Sequence, residues 1–255
     1  MTNQFSASLT VLILTRNESA QIEACLESAA GADEIVVIDD GSTDNTTSLA
    51  KKKGATVVNR KLNNFAEQRN FALTKASSDW IFFLDADERF SPSLLKSIRF
   101  HQRTYPRTAG SVVRRSFAFG RRHRFGALKP DRIIRLFPKG SVHWEGTVHE
   151  RPIFTIPIHP LKGHLDHFTY HDWPQHLAKM EHYSTLWAEA AWARGWSSSY
   201  FRAALRAGAG FIKMFFLNLG LLGGPDSWTL CWHHGVYTYA KYKKLTELTR
   251  TKTKP

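Results

Sequence analysis

The stretch Trp80-Ile81-Phe82-Phe83-Leu84-Asp85-Ala86-Asp87-Glu88 decides how the rest of the chain is read. Its five large apolar residues are too few for a helix and read as a buried parallel strand that stops where three carboxylates begin. In open α/β sheets ligands bind at the carboxyl ends of the strands, and carboxylates crowded there repel one another unless a cation neutralises them. Asp85 and Asp87 are therefore candidates for a metal and phosphate site. The alternative is that they cap a helix starting near Ser91-Pro92.

Two other strand ends bear on that choice. Residues 9–14 form an apolar run that breaks into Thr15, Arg16, Asn17 and Glu18, followed by a helical pattern at Ile22, Cys25, Leu26 and Ala29. Residues 35–38 repeat the signal and end in Asp39-Asp40-Gly41-Ser42-Thr43-Asp44, where Gly41 permits a tight turn and Asp44 or Ser42 can cap the next helix. A helix through Leu49-Ala50, a short strand at 55–58 and a helix over 64–75 carrying Glu67, Gln68 and Arg69 lead to the opening strand. This alternation predicts an α/β fold: a Rossmann-like, mostly parallel sheet flanked by helices, with right-handed crossovers. Its ligand edge would show Thr15 to Glu18, Asp39-Asp40 and residues 85–88 together. Three polar clusters on one edge are harder to explain as independent caps than any one alone. No Gly-x-Gly-x-x-Gly follows a strand and no P-loop pattern occurs, so dinucleotide oxidoreductases and P-loop NTPases lose their main support.

The 255 residues, 42% hydrophobic, suffice for one sizeable core with an extension. The expected division is a catalytic domain over 1–172 and a helical, basic, aromatic region over 173–255. Net charge is +13, and it is uneven: residues 1–100 carry 11 Lys and Arg against 13 Asp and Glu, leaving 24 against 9 for the remainder. Such asymmetry points to an anionic partner for the second half: nucleic acid, a phosphorylated substrate or an anionic membrane surface. Cys25 and Cys231 form neither a disulfide framework nor a zinc spacing, which fits a reducing, cytoplasmic setting. The amino terminus lacks the basic and long apolar regions of a signal peptide.

Further along, strand-like runs at 109–119 and 132–137 are accompanied by Arg114, Arg115, Arg121, Arg122, Arg124 and Lys129, either a solvated hairpin surface or a binding stretch. His143-Trp144-Glu145-Gly146-Thr147-Val148-His149-Glu150 places two carboxylates five apart around a glycine, and either could serve as general base within reach of an acceptor hydroxyl. The histidines at 159, 164, 167, 171, 176 and 182 have no metalloprotease spacing, yet His164 or His167 could supply one nitrogen to a cation held mainly by Asp87. Beyond Trp173 the period is helical. The apolar run 211–222 is shorter than the ~20 residues that span a bilayer. With Arg202, Arg206, Lys213, Lys241, Lys243 and Lys244 and the nearby Trp and Tyr residues, it has the composition of a membrane-surface anchor; the alternative is a core or dimer helix pair.

Residues 12–18 (LILTRNE), 36–44 (VVIDDGSTD), 65–70 (FAEQRN), 80–88 (WIFFLDADE) and 144–150 (WEGTVHE) together resemble the inverting, family 2 nucleotide-sugar glycosyltransferases of GT-A fold, most nearly the lipopolysaccharide core β-1,4-glucosyltransferase branch. The resemblance implies that Thr15, Arg16, Asn17 and Glu18 line the base and ribose pocket, with Asp39 and Asp40 reading the uracil or ribose and Arg69 near the nucleotide. It implies that Asp87 binds the divalent cation, Mg²⁺ or Mn²⁺, with Asp85 touching ribose or metal; of the two histidines above, His167 is taken as the further ligand. Glu150 would be the base and Glu145 its reserve. The implied donor is a nucleotide diphosphosugar, a UDP-hexose such as UDP-glucose. The implied acceptor is a lipid-linked or phosphorylated saccharide, met at the inner face of the bacterial inner membrane by a peripheral enzyme. A nucleic-acid-binding module and a non-catalytic membrane scaffold are the competing classes.

Overall fold

The computed structural model describes residues 7–146 and 150–251. From the amino terminus, β1 (Leu9–Thr15), α1 (Ile22–Ser28), β2 (Glu34–Asp39), α2 (Thr46–Lys52), β3 (Thr56–Asn59), α3 (Phe65–Leu73) and β4 (Trp80–Asp85) realise the alternation read from the sequence. After them come β5 (Glu88–Phe90), α4 (Leu94–Thr104), β6 (Ala109–Ala118), β7 (Arg121–Arg122), β8 (Asp131–Pro138), β9 (His143–Glu145), β10 (Arg151–Ile153) and β11 (Ile158–Tyr170). Three helices close the chain: α5 (Trp173–Ala193), α6 (Tyr200–Ile212) and α7 (Pro225–Thr251).

The main sheet runs β3-β2-β1-β4-β8-β6-β11-β5, with β7 paired to β6, while β9 and β10 form a separate ribbon. Its first four strands are parallel, with Leu12 opposite Val36 on one side and Phe83 on the other. From β4 onward β8 pairs antiparallel. Both faces of the parallel half are buried, as its unbroken apolar runs require. Val11, Ile13, Val37, Phe82 and Leu84 pack with Ile22, Leu26, Ala50, Leu94 and Ile98 of the helices on one face. Their sequence neighbours Leu12, Val36, Ile38, Ile81 and Phe83 pack with Ala66, Ala72, Phe137 and Trp144 on the other. Phe82 and Phe83, both fully buried, each contribute about 1.5–3 kcal/mol of transfer free energy.

α3 begins where Asn64 accepts a hydrogen bond from Glu67 N at 2.9 Å, a side-chain cap for its first turn. α4 follows Ser93, whose side chain makes no capping hydrogen bond, and β5 precedes it in the chain. Asp85 and Asp87 therefore cap no helix: Asp85 ends β4 and Asp87 sits in the turn to β5.

The chain packs as two units. One holds the residues up to Arg114 together with Asp131–His167; the other holds Arg115–Pro130 and the residues from Phe168 onward. In the second unit α5 is capped by Asp172, which accepts from Gln175 N at 2.8 Å, and Ala188, Ala191 and Leu245 join α5 to α7. Lys244 ties the same pair, donating to Glu181 at 2.6 Å and to Ser184 and Thr185 at 2.8 Å. The apolar run after α6 is a π-helical turn at Lys213–Leu217 and a 3-10 turn at Gly220–Gly223. No helix among the described residues is long and apolar enough to cross a membrane. Cys25 and Cys231 are free and buried.

Candidate active site

The carboxyl ends of β1 and β2 are stitched together by short polar contacts. Thr15 lies opposite Asp39 in the strand register, and both are buried. Both Asp39 oxygens are taken by Ser42, whose N–H donates at 2.9 Å and whose hydroxyl donates at 2.5 Å. Asn17, in the left-handed region at φ 53°, accepts from Thr43 N at 2.8 Å and donates its own N–H to Ser42 Oγ at 2.9 Å. Glu18 N and Ser19 N donate to Thr46 Oγ1 and Asp44 Oδ2. Burial pushes the Asp44 carboxyl up, but the hydrogen bonds from Thr46 and Ser19 outweigh it and bring it down to about 2. Asp40 accepts from Arg16 at 3.1 Å and from Leu62 N at 2.7 Å. These loops are thus held in shape by Asp39, Asp40 and Asp44. Thr15 Oγ1 is buried with no hydrogen-bond partner among the described residues.

At the end of β4 the acids are neutralised by arginines. Asp85 accepts from Arg69 Nη2 at 3.2 Å and from Arg135 Nη2 at 2.5 Å. The same Arg135 nitrogen reaches Glu88 at 3.2 and 3.4 Å, and Glu88, with no exposed surface, also accepts the Asp85 N–H at 3.1 Å. Burial alone would raise Asp85; the charges of Arg135 and Arg69 reverse that and hold its carboxyl below the ordinary range. Glu88 is raised, because burial and the charge of Asp85 outweigh Arg135. Arg114 stands 3.7 Å from Glu88 and closes the network through Asp131 at 2.8 Å.

Arg69, buried on α3, has a second anion. Its Nε donates to Glu150 Oε1 at 3.2 Å while its guanidinium lies over Trp144 at 4.8 Å and Phe83 at 5.3 Å. The rings and the two carboxylates fix the fork. Glu150 is mostly buried. Glu145 is half-exposed on β9, with His143 at 3.1 Å. Thr147, Val148 and His149 of the same motif lie outside the described residues.

Asp87 Oδ2 lies 3.2 Å from His167 Nε2. β11 runs antiparallel to β5 with His167 opposite Glu88, which brings the imidazole to the turn. His164, the other candidate, contacts Asp166 at 3.4 Å. Burial lowers His167, but its contact with Asp87 and the charge of Glu88 raise it more. Adjacent donors on an octahedral ion with ~2.1 Å bonds stand about 3 Å apart, so the pair fits one small divalent cation as well as it fits a hydrogen bond. Among the described residues no three His, Cys, Asp or Glu side chains could complete a metal site alone, so phosphate and water would have to supply the remaining ligands.

Sequence reasoning missed Arg135 and read Arg114 only as part of a basic stretch, either a solvated hairpin surface or a binding stretch, not as a partner of Glu88. The signal for Arg135 is a charge inside Ile133-Ile134-Arg135-Leu136-Phe137: an arginine in a strand otherwise fit for burial needs a buried anion.

The site thus combines a hydrogen-bonded strand edge, a carboxylate and an imidazole 3.2 Å apart, and a further carboxylate joined to that edge by arginine. The model of Glycosyl transferase family 2 matches residues 10–154, and the chain belongs to that family. It is a nucleotide-sugar-dependent glycosyltransferase. Its relatives include the lipopolysaccharide core biosynthesis glycosyltransferase LpsC of Rhizobium meliloti, 26% identical over 97% of this chain and 95% of LpsC. An uncharacterized glycosyltransferase of Rickettsia prowazekii is 26% identical over 94% of this chain and 86% of its own length. Among solved structures, glucosyl-3-phosphoglycerate synthase of Mycobacterium tuberculosis, crystallised with Mn²⁺, uridine diphosphate and glucosyl-3-phosphoglycerate, aligns over 45% of each chain at 26% identity with a TM-score of 0.36. The alignment covers less than half of that enzyme's length.

Proposed function

We propose that the protein transfers a hexose, glucose in the first instance, from a UDP-sugar to a lipid-linked, phosphorylated saccharide of the lipopolysaccharide core type, with inversion. It would do so as a peripheral protein on the inner face of the bacterial inner membrane. The observation that carries the reading is Arg69: one buried guanidinium joins Asp85, in the acidic motif, to Glu150, the candidate base. The LpsC relative supports the acceptor class.

Thr15, Arg16, Asn17, Glu18, Asp39 and Asp40 take the base and ribose, with Asp85 on the ribose side. Asp87 and His167 hold the divalent cation, which supplies charge neutralisation for the departing nucleoside diphosphate. Glu150 accepts the proton of the acceptor hydroxyl as that oxygen bonds to the anomeric carbon. The bond to the diphosphate breaks on the opposite face, so a single displacement inverts the centre. Arg69 is a positioning residue that aims Glu150 and offsets its charge beside Asp85. The exposure of Glu145 and its contact with His143 favour Glu150 as the base.

A donor screen read by product mass, with a lipopolysaccharide-core acceptor, tests the proposal. Addition of one hexose from a UDP-sugar, abolished by EDTA, is the expected result. No product from any nucleotide sugar with that acceptor would overturn the substrate assignment.

A further inference from the structure

The second unit has a surface that the chemistry above leaves unused. Phe201, Leu205, Ile212 and Phe216 follow one another at helical spacing along α6 and the turn after it, all exposed. Trp228, Trp232, Val236 and Tyr239 do the same along α7. Phe211 meets Trp232 at 6.1 Å, and the connecting turn adds Leu217, Leu219, Leu221 and Leu222. Phe201 is 79% exposed, Leu217 76% and Leu222 63%. This is far more apolar surface than scattered single residues provide.

The segment is held firmly despite its apolar side chains. Gly126 N donates to Asn218 O at 2.9 Å and Lys129 Nζ to Asn218 Oδ1 at 2.8 Å. Ser227 Oγ bonds Gly220 O at 3.1 Å, and Trp228 Nε1 bonds Leu221 O at 2.8 Å. Backbone polar groups tied up in this way can enter a low-dielectric layer without the penalty of unmade hydrogen bonds.

Charge identifies the occupant. From Ala190 to Thr246 the only acid is Asp226, against Arg194, Arg202, Arg206, Lys213, Lys241, Lys243 and Lys244, and Asp226 is paired with Arg121 at 2.5 Å. Beside the apolar turn lies a cavity of about 190 Å³ whose lining includes Arg121, Arg122 and Arg124 together with Leu222 and Gly223. Leu222 belongs both to this cationic cavity and to the exposed apolar turn. An apolar ridge with a phosphate-sized basic cavity at its margin matches a bilayer, with acyl chains under the ridge and anionic headgroups at the rim.

We infer that the α6 to α7 ridge docks on an anionic lipid surface, inserting Leu217, Leu219, Leu221 and Leu222 while the Arg121, Arg122 and Arg124 cavity takes a lipid phosphate. This deepens the membrane location proposed above, and its test requires no turnover.

The test is flotation of the purified full chain with vesicles of phosphatidylcholine alone or of equal parts phosphatidylcholine and phosphatidylglycerol. Binding to the mixed vesicles at least about tenfold tighter than to phosphatidylcholine is expected, weakening as salt rises. Leu217→Asp with Leu222→Asp should lower it by at least about tenfold, and Arg124→Ala by roughly fivefold. All three positions are exposed, so melting temperatures and UDP binding of the variants should match the parent. A parent chain that stays with the buffer, or variants that float equally well, would overturn the assignment. So would a dimer in light scattering that the double variant splits, which would give the ridge to a second copy. Loss of UDP binding with intact flotation would count against the transferase reading alone.

Discussion

Replacing Arg135 with methionine should damage the fold through Glu88 more than through any lost contact of Arg135 itself. One nitrogen of Arg135 lies 2.5 Å from Asp85 and 3.2 Å from Glu88. At an effective dielectric constant of ~20 each ion pair is worth about 4 kcal/mol before dehydration is subtracted. Asp85 keeps Arg69 and some exposure; Glu88 has no exposed surface and, among the described residues, no second cation closer than Arg114 at 3.7 Å. Removing one partner of a buried pair costs about 3–5 kcal/mol, and the stranded Glu88 places this variant in that range. Glu88 can escape by taking a proton, so the deficit should shrink by up to about 1.4 kcal/mol for each pH unit lowered. Urea unfolding followed by circular dichroism, at neutral and at mildly acid pH, reads both quantities. Adding Glu88→Gln should return at least half of the loss, since the amide oxygen can still accept the Asp85 N–H. A variant within about 1 kcal/mol of the parent, the scale of an ordinary substitution, or one that Glu88→Gln fails to rescue, would refute the reasoning.

Two further outcomes are expected. Glu150→Gln should lower kcat for transfer about 10²–10⁴-fold, the range for losing a general base, whereas Glu145→Gln should leave it nearly unchanged; equal effects in steady-state assays would remove Glu150 from its role. His176, whose pKa burial and neighbouring His233 push down to about 4 from 6.5, contributes stability that is complete above 6.5 and lost as pH falls toward 4. That loss is at most ~3 kcal/mol, and melts of His176→Phe across this window should fall less steeply than those of the parent.

The parallel half of the fold was readable because each strand is an apolar run ended by polar residues, and the four strands emerge within a residue or two of the expected positions. β6 and β8 were visible for the same reason. β11 was not: Pro160 and Gly163 interrupt it and its histidines mask the alternation, so a strand of 13 residues read as a histidine cluster. Yet its pairing with β5 is what brings His167, rather than His164, to Asp87. The acidic edge was legible, but its neutralisation was misjudged in one respect: arginines from α3 and β8 already offset Asp85 and Glu88, which concentrates the case for a cation on Asp87. Contacts made by residues far apart in sequence, such as Arg69 with Glu150, leave no local pattern to read.

The central claim, a cation-assisted nucleotide site built on Asp87, is tested most directly by calorimetric titration of UDP into the parent chain and Asp87→Ala, with Mn²⁺ and with EDTA. The parent should bind UDP at least about tenfold more tightly with Mn²⁺, the equivalent of about 1.4 kcal/mol, and Asp87→Ala should lose that gain while melting like the parent in EDTA. Equal UDP affinity of the parent with and without the metal, or an undiminished Mn²⁺ effect in Asp87→Ala, would contradict the account.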